Sequence, residues 1–600
     1  MSSRDSSRAG PFQPPSRTHS LLSYSSGMRR ESYQTLDGAV VDSPYPQARA
    51  NSVLNHSISE KYSLSPDIRS WGADLSPDLV ESDDVLHNPN QRDHSSGSWN
   101  YRGLTNVGCL LILALSILAL FVGYPALSFV RQKIADSSQG LNLGGAFNAS
   151  GQIPQIGNFG LVDLDTPKEA WTKTSLRDGS KMVLVFSDEF NTDGRTFYPG
   201  DDPYWEAHDY HYWSTNNLEW YDPAGLSTKN GALHITLEEK QTHNLSYQGG
   251  LMTTWNKFCF TGGYIEAAVR LPGTNTVGGL WPAVWTLGNL GRAGYGASLE
   301  GMWPYSYDTC DVGTAPNQTW QGVPSSPEVV GDHAYPGAPL SYLQGQRLSR
   351  CTCTGEDHPG PIHPDGTYVG RSAPEIDVIE AQVGGTTPKG EVSQSAQFAP
   401  FNNAYKWNHT PQNMKIANAS ISKINGFVGN IVQQAGSVVT DTNQRCYQLL
   451  DDCFSQYAFE ASTYKPGFDD AYVTWTSDNK VSWTLEQAGF GPDPISEISS
   501  RPIPQEPMYI IVNLGMSKNF GDIDFEQLTF PAIMEIDYIR VYQRSDSINI
   551  GCDPEDFPTK AYIEKHIEAY TDYNLTDWRG TVGQGGYGQS FPKSSYLGQC

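Results

Sequence analysis

The chain has 600 residues, a formal net charge of −25 at pH 7 and an aromatic content of 12%. This length exceeds what one small core needs, so it predicts a large domain with extensions. The negative charge argues against a nucleic-acid-binding protein, because phosphates require a basic surface, whereas a neutral polysaccharide would not be repelled.

The N-terminal part of the chain is rich in serine and lacks the apolar periodicity of a folded domain. We therefore predict a disordered cytosolic tail over residues 1–102. Residues 107–130 contain no charged side chain and would extend about 36 Å as a helix, enough to cross about 30 Å of hydrocarbon. Because this segment lies far from the start of the chain, we expect a transmembrane signal anchor rather than a cleaved signal peptide.

The part of the chain after this segment has the features of a luminal or extracellular protein. Flanking basic residues are balanced and set no orientation, but eight of the nine cysteines lie here. Without the paired spacing of zinc sites they favour disulfides, with Cys446–Cys453 and Cys552–Cys600 as natural local pairs. We predict a single-pass type II membrane glycoprotein of the endoplasmic reticulum, Golgi or plasma membrane, with N-glycosylation acceptors at Asn148, Asn244, Asn317, Asn408, Asn418 and Asn574.

A luminal linker is expected over residues 131–160, a folded domain over 160–545 and a C-terminal extension over 546–600. Short alternating segments separated by turn residues predict an all-β sandwich, at this size a jelly roll of the concanavalin A-like type. A short helix is expected at Thr559–Tyr570. The predicted strands are Met182–Phe186, Ala232–Leu237, Gly263–Leu271, Tyr472–Thr476, Val481–Leu485, Tyr509–Leu514 and Met534–Tyr542.

Several aromatic residues are candidates for contacts with a sugar. Trp281 and Trp285 would share one strand face, where they form either a stacking platform for glucose rings or a pair of core side chains. Trp220 lies in another stretch crowded with tyrosines. His208 and His211 lack further clustered ligands, so we expect neither a metal site nor a cofactor.

The segment Glu375-Ile-Asp-Val-Ile-Glu380 places three carboxylates within six residues. Retaining hydrolysis of a glycosidic bond needs two carboxyl groups about 5–5.5 Å apart. In a regular strand Glu375 and Asp377 share a face, whereas Glu380 points away. A β-bulge at Val378-Ile379 would return Glu380 to that face.

On this interpretation Glu375 is the nucleophile and Glu380 the acid and base. Asp377 between them would raise the pKa of the acid by charge repulsion and hydrogen-bond the nucleophile. The alternative is an acidic edge strand. A similar segment, Glu535-Ile-Asp-Tyr-Ile-Arg540, repeats the first half of the pattern but ends in arginine.

The bulged E-x-D-x-x-E pattern resembles glycoside hydrolase family 16, the laminarinase group of β-jelly rolls. Further segments that resemble this family are Ser187–Asn191, Gly263–Glu266, Gly279–Trp285 and Ile536–Tyr542. A closer similarity is to its fungal subgroup associated with β-1,6-glucan synthesis, the Kre/Skn-type cell-wall proteins. The segments that show it are Gly194–Pro203, Leu218–Pro223, Trp303–Tyr307, Cys351–Pro359 and Ser393–Phe401.

The resemblance implies a retaining β-glucan hydrolase or transglycosylase with Glu375, Asp377 and Glu380 in the catalytic roles, and with Trp281 and Trp285 in contact with glucan. The chain departs from typical laminarinases at Gln394–Gln397, where they carry a histidine, and we include Gln397 among the expected glucan contacts. The alternative is a non-catalytic glucan-binding assembly factor. The expected partners are β-glucan and the glucan-synthesis machinery.

Overall fold

The computed structural model describes residues 101–118, 121, 160–324, 339–400, 402, 407–462 and 470–600. The predicted tail and linker therefore fall almost wholly outside the described residues. Helix α1 (Tyr101–Leu118) covers the start of the apolar segment. Among the described residues, no helix combines the length and apolar character needed to cross a membrane. The anchor at 107–130 extends beyond the described residues and stays a prediction.

The remainder of the described chain is built mainly from β-strands. Short 3-10 helices occur at Lys168–Trp171, Trp213–Thr215, Pro223–Gly225, Val312–Thr314, Pro316–Gln318 and Gln487–Phe490. The α-helices after α1 are α2 (Gly296–Leu299), α3 (Lys560–Lys565) and α4 (Ile567–Thr571). The strands are β1 (Thr172–Thr174), β2 (Lys181–Asp188), β3 (Glu206–Ala207), β4 (Tyr210–His211), β5 (Glu219–Tyr221), β6 (Leu226–Lys229), β7 (Ala232–Thr242), β8 (Leu245–Thr253), β9 (Gly263–Arg270), β10 (Trp281–Gly288), β11 (Glu375–Gly384), β12 (Lys389–Phe398), β13 (Met414–Ile416), β14 (Ser422–Ile424), β15 (Gly429–Asn430), β16 (Gln433–Asp441), β17 (Ser455–Ser462), β18 (Tyr472–Ser477), β19 (Lys480–Glu486), β20 (Met508–Gly515) and β21 (Ala532–Arg544).

Two antiparallel sheets form a sandwich of jelly-roll type. The first, here the site sheet, runs β3–β8–β20–β10–β11–β12–β16, with β14 and β15 on the outer edge of β16. The second, here the back sheet, runs β13–β19–β18–β17–β9–β21, and β21 also pairs with β2 and β7. The hairpin of β7 and β8 connects the two sheets at one corner.

The main hydrophobic core lies between the sheets. The site sheet contributes residues such as Val284, Ile379 and Val512, and the back sheet contributes residues such as Ile265 and Val541. All seven predicted strands are present, and their alternating pattern arises because one face of each strand enters this core. Strands β8, β12, β16 and β17 were not predicted, because glycine and polar residues interrupt their apolar alternation.

The predicted helix at Thr559–Tyr570 is interrupted at His566, which separates α3 from α4. The His566 backbone leaves the helical conformation, and its imidazole lies 2.6 Å from Asp357 Oδ2. Both helices belong to the C-terminal extension, whose apolar residues Tyr562, Ile563 and Trp578 are buried in a second core cluster.

The disulfides confirm one predicted pair and correct the other. Cys446 bonds Cys453 as expected, but the predicted pair Cys552–Cys600 is wrong, because Cys552 bonds Cys259. The two ends of the extension lie beside different parts of the domain. The remaining bonds are Cys353–Cys600 and Cys310–Cys351.

The predicted N-glycosylation acceptors are accessible wherever they are described. Asn148 lies outside the described residues, and glycosylation itself stays a prediction. The exposed acceptors are Asn244, Asn317, Asn408, Asn418 and Asn574.

Candidate active site

The bulge predicted at Val378-Ile379 is confirmed by the register of β11 against both neighbours. On β12, Asp377 faces Ser395 whereas Glu380 faces Ser393, so three steps along β11 match two along β12. The register with β10 shifts at the same point. One extra residue thus places Glu375, Asp377 and Glu380 on the outer face of the site sheet.

The apolar residues of the bulged strand turn the other way, into the core. Ile376, Val378 and Ile379 are all fully buried there. The carbonyl groups released by the bulge are satisfied by core side chains. Trp475 Nε1 donates to the Asp377 carbonyl at 2.8 Å, and Gln394 Nε2 donates to the Val378 carbonyl at 3.1 Å. These hydrogen bonds from core side chains stabilise the bulge, because the polar groups of a buried irregular backbone need partners.

Each carboxylate on the outer face accepts a hydrogen bond from a neutral donor. Trp303 Nε1 donates to Glu375 Oε2 at 2.6 Å, and Trp281 Nε1 donates to Glu380 Oε1 at 2.9 Å. Asp377 is 1% exposed and accepts from Ser395 Oγ at 3.0 Å and Gln397 Nε2 at 3.3 Å, the latter a long contact. Two separate indoles thus orient the two glutamates.

Burial and mutual repulsion raise the pKa of all three carboxyl groups. Burial comes first for each, and the charge of Glu380 adds to it for Glu375, whose pKa rises to about 8. The pKa of Glu380 also rises to about 8, through burial and the charge of Asp377. The pKa of Asp377 lies well above its usual range, through burial and the charge of Glu375. These groups titrate as a coupled set.

A hydrogen bond between Asp377 and Glu375 divides their roles. It lowers the pKa of Glu375 and raises that of Asp377, as expected when protonated Asp377 is the donor. Glu375 then accepts two hydrogen bonds, one from Asp377 and one from Trp303, whereas Glu380 accepts one, from Trp281. These hydrogen bonds favour the ionised form of Glu375 more than that of Glu380, while burial and neighbouring charge bring the pKa of both groups to about 8.

The described part of the chain offers this set no cationic partner. Within the described residues, no Lys, Arg or His forms an ion pair with any of the three carboxylates. The related segment on β21 differs in this respect: Glu535 pairs with Arg270 at 3.1 Å, and Arg540 pairs with Glu189 at 2.6 Å. The carboxylates of β11 are therefore left uncompensated, an arrangement typical of catalytic acids and bases.

Trp281 and Trp285 lie on β10, beside the bulged strand, and both are partly exposed. Trp285 is the register partner of Asp377, and its Nε1 donates to Asn513 Oδ1 at 2.8 Å. Trp281 stacks on Phe520, with ring centroids 4.3 Å apart and planes at 4°. One face of the Trp281 indole is therefore already covered by protein.

The other predicted contacts lie in different surroundings. Gln397 faces Glu375 across the strands and touches Asp377, so it belongs to the site. Trp220 hydrogen-bonds Asp209 at 2.7 Å and stacks on His243, with ring centroids 4.1 Å apart. None of the contacts found for Trp220 is with the three carboxylates.

Some site residues were not identified as such from the sequence. Trp303 was recognised only as part of a family segment, because it lies 72 positions before Glu375. Tyr212 also lies near the carboxylates, since burial and the charges of Glu375 and Glu380 raise its pKa above its usual range. Ser395 faces the site, whereas Gln394 beside it faces the core.

The chain is similar to known proteins over most of its length. A family model described as beta-glucan synthesis-associated protein SKN1/KRE6/Sbg1 matches residues 73–600. The beta-glucan synthesis-associated protein KRE6 of Saccharomyces cerevisiae is 40% identical over 537 residues, covering 87% of this chain and 69% of that protein. The endo-1,3-1,4-beta-glycanase EglC of Rhizobium meliloti is 31% identical over 162 residues, covering 23% of this chain and 32% of that protein.

Among solved structures, the catalytic domain of an endo-1,3-beta-glucanase (laminarinase) from Thermotoga petrophila RKU-1 is similar at 20% sequence identity. The match covers 61% of this chain and 98% of that one, with a TM-score of 0.33.

Proposed function

We propose a function for this chain from its family, since it belongs to the SKN1/KRE6/Sbg1 family of beta-glucan synthesis-associated proteins. The proposed function is that of a retaining hydrolase or transglycosylase that makes or remodels cell-wall β-glucan, β-1,6-glucan in particular. The observation that carries the proposal is the bulge of β11, which gathers Glu375, Asp377 and Glu380 on one face. The partial similarity to a bacterial endo-1,3-1,4-beta-glycanase supports the same class of reaction.

In the first step the Glu375 carboxylate attacks the anomeric carbon of the donor glucan. The bond between that carbon and the leaving oxygen breaks, and Glu380 gives its proton to that oxygen. The raised pKa of Glu380 keeps this proton available near neutral pH. Hydrogen bonds from protonated Asp377 and the Trp303 indole stabilise the ionised form of Glu375, the form that attacks, and so oppose the burial and the charge of Glu380 that raise its pKa.

In the second step an acceptor hydroxyl attacks the anomeric carbon of the glycosyl ester on Glu375. Glu380, now ionised, takes the proton of that hydroxyl, and Glu375 leaves as a carboxylate. Both groups return to their starting states. Water as acceptor gives hydrolysis, and a glucan hydroxyl gives transglycosylation.

The proposed substrate is a neutral glucan, which suits a site whose donors are neutral. Gln397 Oε1 is buried without a hydrogen-bond partner, so it is free to accept from a sugar hydroxyl. Trp281 and Trp285 border the carboxylates with partly exposed rings. Apolar faces of glucose pack well on such rings.

We place this reaction in the secretory pathway or at the cell surface, with the site on the luminal or extracellular side. Support comes from the four disulfides of the described residues, since such bonds persist in oxidising compartments. Membrane anchoring through residues 107–130 and contact with the glucan-synthesis machinery belong to the same proposal.

The test is covalent trapping of the intermediate. Purified full-length protein is incubated with activated 2-deoxy-2-fluoro glycosides of β-1,3- and β-1,6-linked gluco-oligosaccharides, and its intact mass is measured. We expect one glycosyl adduct, mapped to Glu375 by peptide analysis. Glu375→Gln should abolish it. Glu535→Gln, at the matching position of the related segment on β21, should leave it intact.

Absence of an adduct on folded protein would overturn the enzymatic proposal. If that protein still bound glucan, and if Glu375→Gln left binding unchanged, the chain would instead be an assembly factor that holds glucan for another enzyme. The same trapping experiment therefore separates the two functions.

A further inference from the structure

Trp303 reaches Glu375 from a short segment fixed near the entry to β11. The backbone N–H groups of Met302 and Trp303 both donate to the Leu299 carbonyl, at 2.9 and 3.0 Å. The Met302 carbonyl in turn accepts from the Ala373 N–H at 3.1 Å, two residues before Glu375. The position of this segment therefore sets where the Trp303 indole meets the carboxylate.

The C-terminal extension supports this segment directly. The Ala297 N–H donates to the Leu575 carbonyl at 2.9 Å. The Glu300 carboxylate accepts from the backbone N–H groups of Trp578 and Arg579, at 2.7 and 3.1 Å. It also accepts from the Arg579 guanidinium, at 2.8 and 3.2 Å. Four hydrogen bonds thus converge on one carboxylate three residues before Trp303.

A buried arginine joins the same segment to the C-terminal extension. Arg347 donates to the carbonyls of Ala297 and Ser298, at 2.9 and 3.0 Å. Its guanidinium lies 3.7 Å from the centroid of the Trp578 ring. Trp578 is 2% exposed, so the extension forms part of the packed support rather than a loose tail.

Disulfides fix the extension near both of its ends. Cys552 bonds Cys259 and Cys600 bonds Cys353. The extension is thereby held at residues 552 and 600, on either side of the contacts with Glu300.

We infer that the C-terminal extension is a positioning element of the active site, in which Arg579, through Glu300, holds the Trp303 indole against Glu375. This inference rests on the proposed function for its catalytic meaning. Arg579 is a positioning residue, because it reaches Glu375 only through other groups.

Displacement of the Trp303 indole should change the pKa of Glu375. An N–H donor stabilises the ionised carboxylate and lowers its pKa, so displacement of the indole raises that pKa. The other titratable groups near Glu375 are Asp377 and Glu380 on its own strand, Tyr212 after β4 and Tyr509 on β20. The contacts found for Arg579 are with Glu300, Gln344 and Phe591, and none is with these titratable groups.

The test is infrared titration of full-length protein, which needs no turnover. The signal is the protonated-carboxyl band that Glu375→Gln removes. We expect Arg579→Ala to raise the midpoint of this band by about half a pH unit. Trp303→Phe should raise the same midpoint by at least as much. Glu300→Gln serves as the second variant if Arg579→Ala unfolds below the assay temperature.

The matched control is Arg177→Ala. Arg177 pairs with Glu486 in the back sheet at 2.6 Å, with side chains 38% and 13% exposed, against 36% and 12% for Arg579 and Glu300. Arg177→Ala should leave the midpoint of the Glu375 band unchanged. An unchanged midpoint in folded Arg579→Ala, or an equal shift in Arg177→Ala, would overturn the inference.

Failure of the proposed function is a separate result. It would appear as absence of a 2-fluoroglycosyl adduct in the wild-type protein, whatever the infrared titration shows. A shifted midpoint without an adduct would support the positioning role of the extension and refute the proposed enzymatic activity.

Discussion

Removal of either indole donor should move one limb of the pH profile of activity. Trp303 donates to Glu375 at 2.6 Å and Trp281 donates to Glu380 at 2.9 Å. Activity requires Glu375 ionised and Glu380 protonated, so the two limbs report two proton losses of the coupled set, the acid limb mainly that of Glu375 and the alkaline limb mainly that of Glu380. Loss of an N–H donor raises the pKa of its acceptor. Trp303→Phe should therefore shift the acid limb upward, and Trp281→Phe should shift the alkaline limb upward.

The size of the shift follows from the strength of these bonds. A hydrogen bond to a charged group contributes about 1.5–3 kcal/mol, and one pH unit corresponds to about 1.4 kcal/mol. The upper limit is thus about 1–2 pH units. Both glutamates are partly exposed, so water can replace part of the lost bond. We expect a shift of about one unit for each variant.

The assay is kcat/KM for release of a chromogenic leaving group from a β-glucan oligosaccharide, measured from pH 4 to 10. Trp285→Phe is the control, because its indole donates to Asn513 and to neither glutamate. A shift of the same limb by Trp303→Phe and Trp281→Phe, or a downward shift of its limb by either variant, would refute these two assignments. Loss of activity with no change in either limb would equally contradict them.

Three further expectations concern stability. The pKa of Glu375 is raised to about 8 in the folded state, so folding favours its protonated form. The associated stability is complete below a pH of about 4.5 and is lost as the pH rises through 8. Glu375→Gln should therefore raise Tm more at pH 8.5 than at pH 5, and an equal change at both pH values would contradict this. Gln394→Ala removes the donor to the Val378 carbonyl and should lower the free energy of unfolding by about 2 kcal/mol in a urea titration, whereas a loss below 0.5 kcal/mol would show that the bulge needs no such support. Cys353→Ser with Cys600→Ser opens a loop of 247 residues and should cost about 2–4 kcal/mol by the same titration; an unchanged midpoint would mean that the extension is held without this bond.

The sequence pattern alone predicts much of the fold. Alternation of buried and partly exposed residues marks strands such as β21, one face of which enters the core, whereas β20 is marked by a nearly continuous apolar run that is buried on both faces. It failed for β12 and β16, whose polar side chains satisfy one another, as Ser393 and Ser437 do at 3.1 Å. Buried polar pairs of this kind leave no apolar signal in the sequence.

Local spacing also specified the centre of the candidate site. The bulge of β11 depends only on residues within one strand and its neighbours, so the sequence is enough to group Glu375, Asp377 and Glu380. The disulfides show the limit of such reasoning, since only the short pair Cys446–Cys453 followed from proximity in sequence.

Local sequence is enough to predict a β-rich, acidic chain with three carboxylates able to meet on one strand face, because strand alternation and a bulge are local properties. The groups that surround these carboxylates depend on the packing of distant segments. Trp303 comes from 72 residues upstream, and the extension that supports its segment ends at Cys600. The related segment on β21 has the same local carboxylate spacing at Glu535 and Asp537, yet there Arg270 neutralises Glu535. Contacts between distant segments set burial and charge, and therefore the chemistry of these carboxylates.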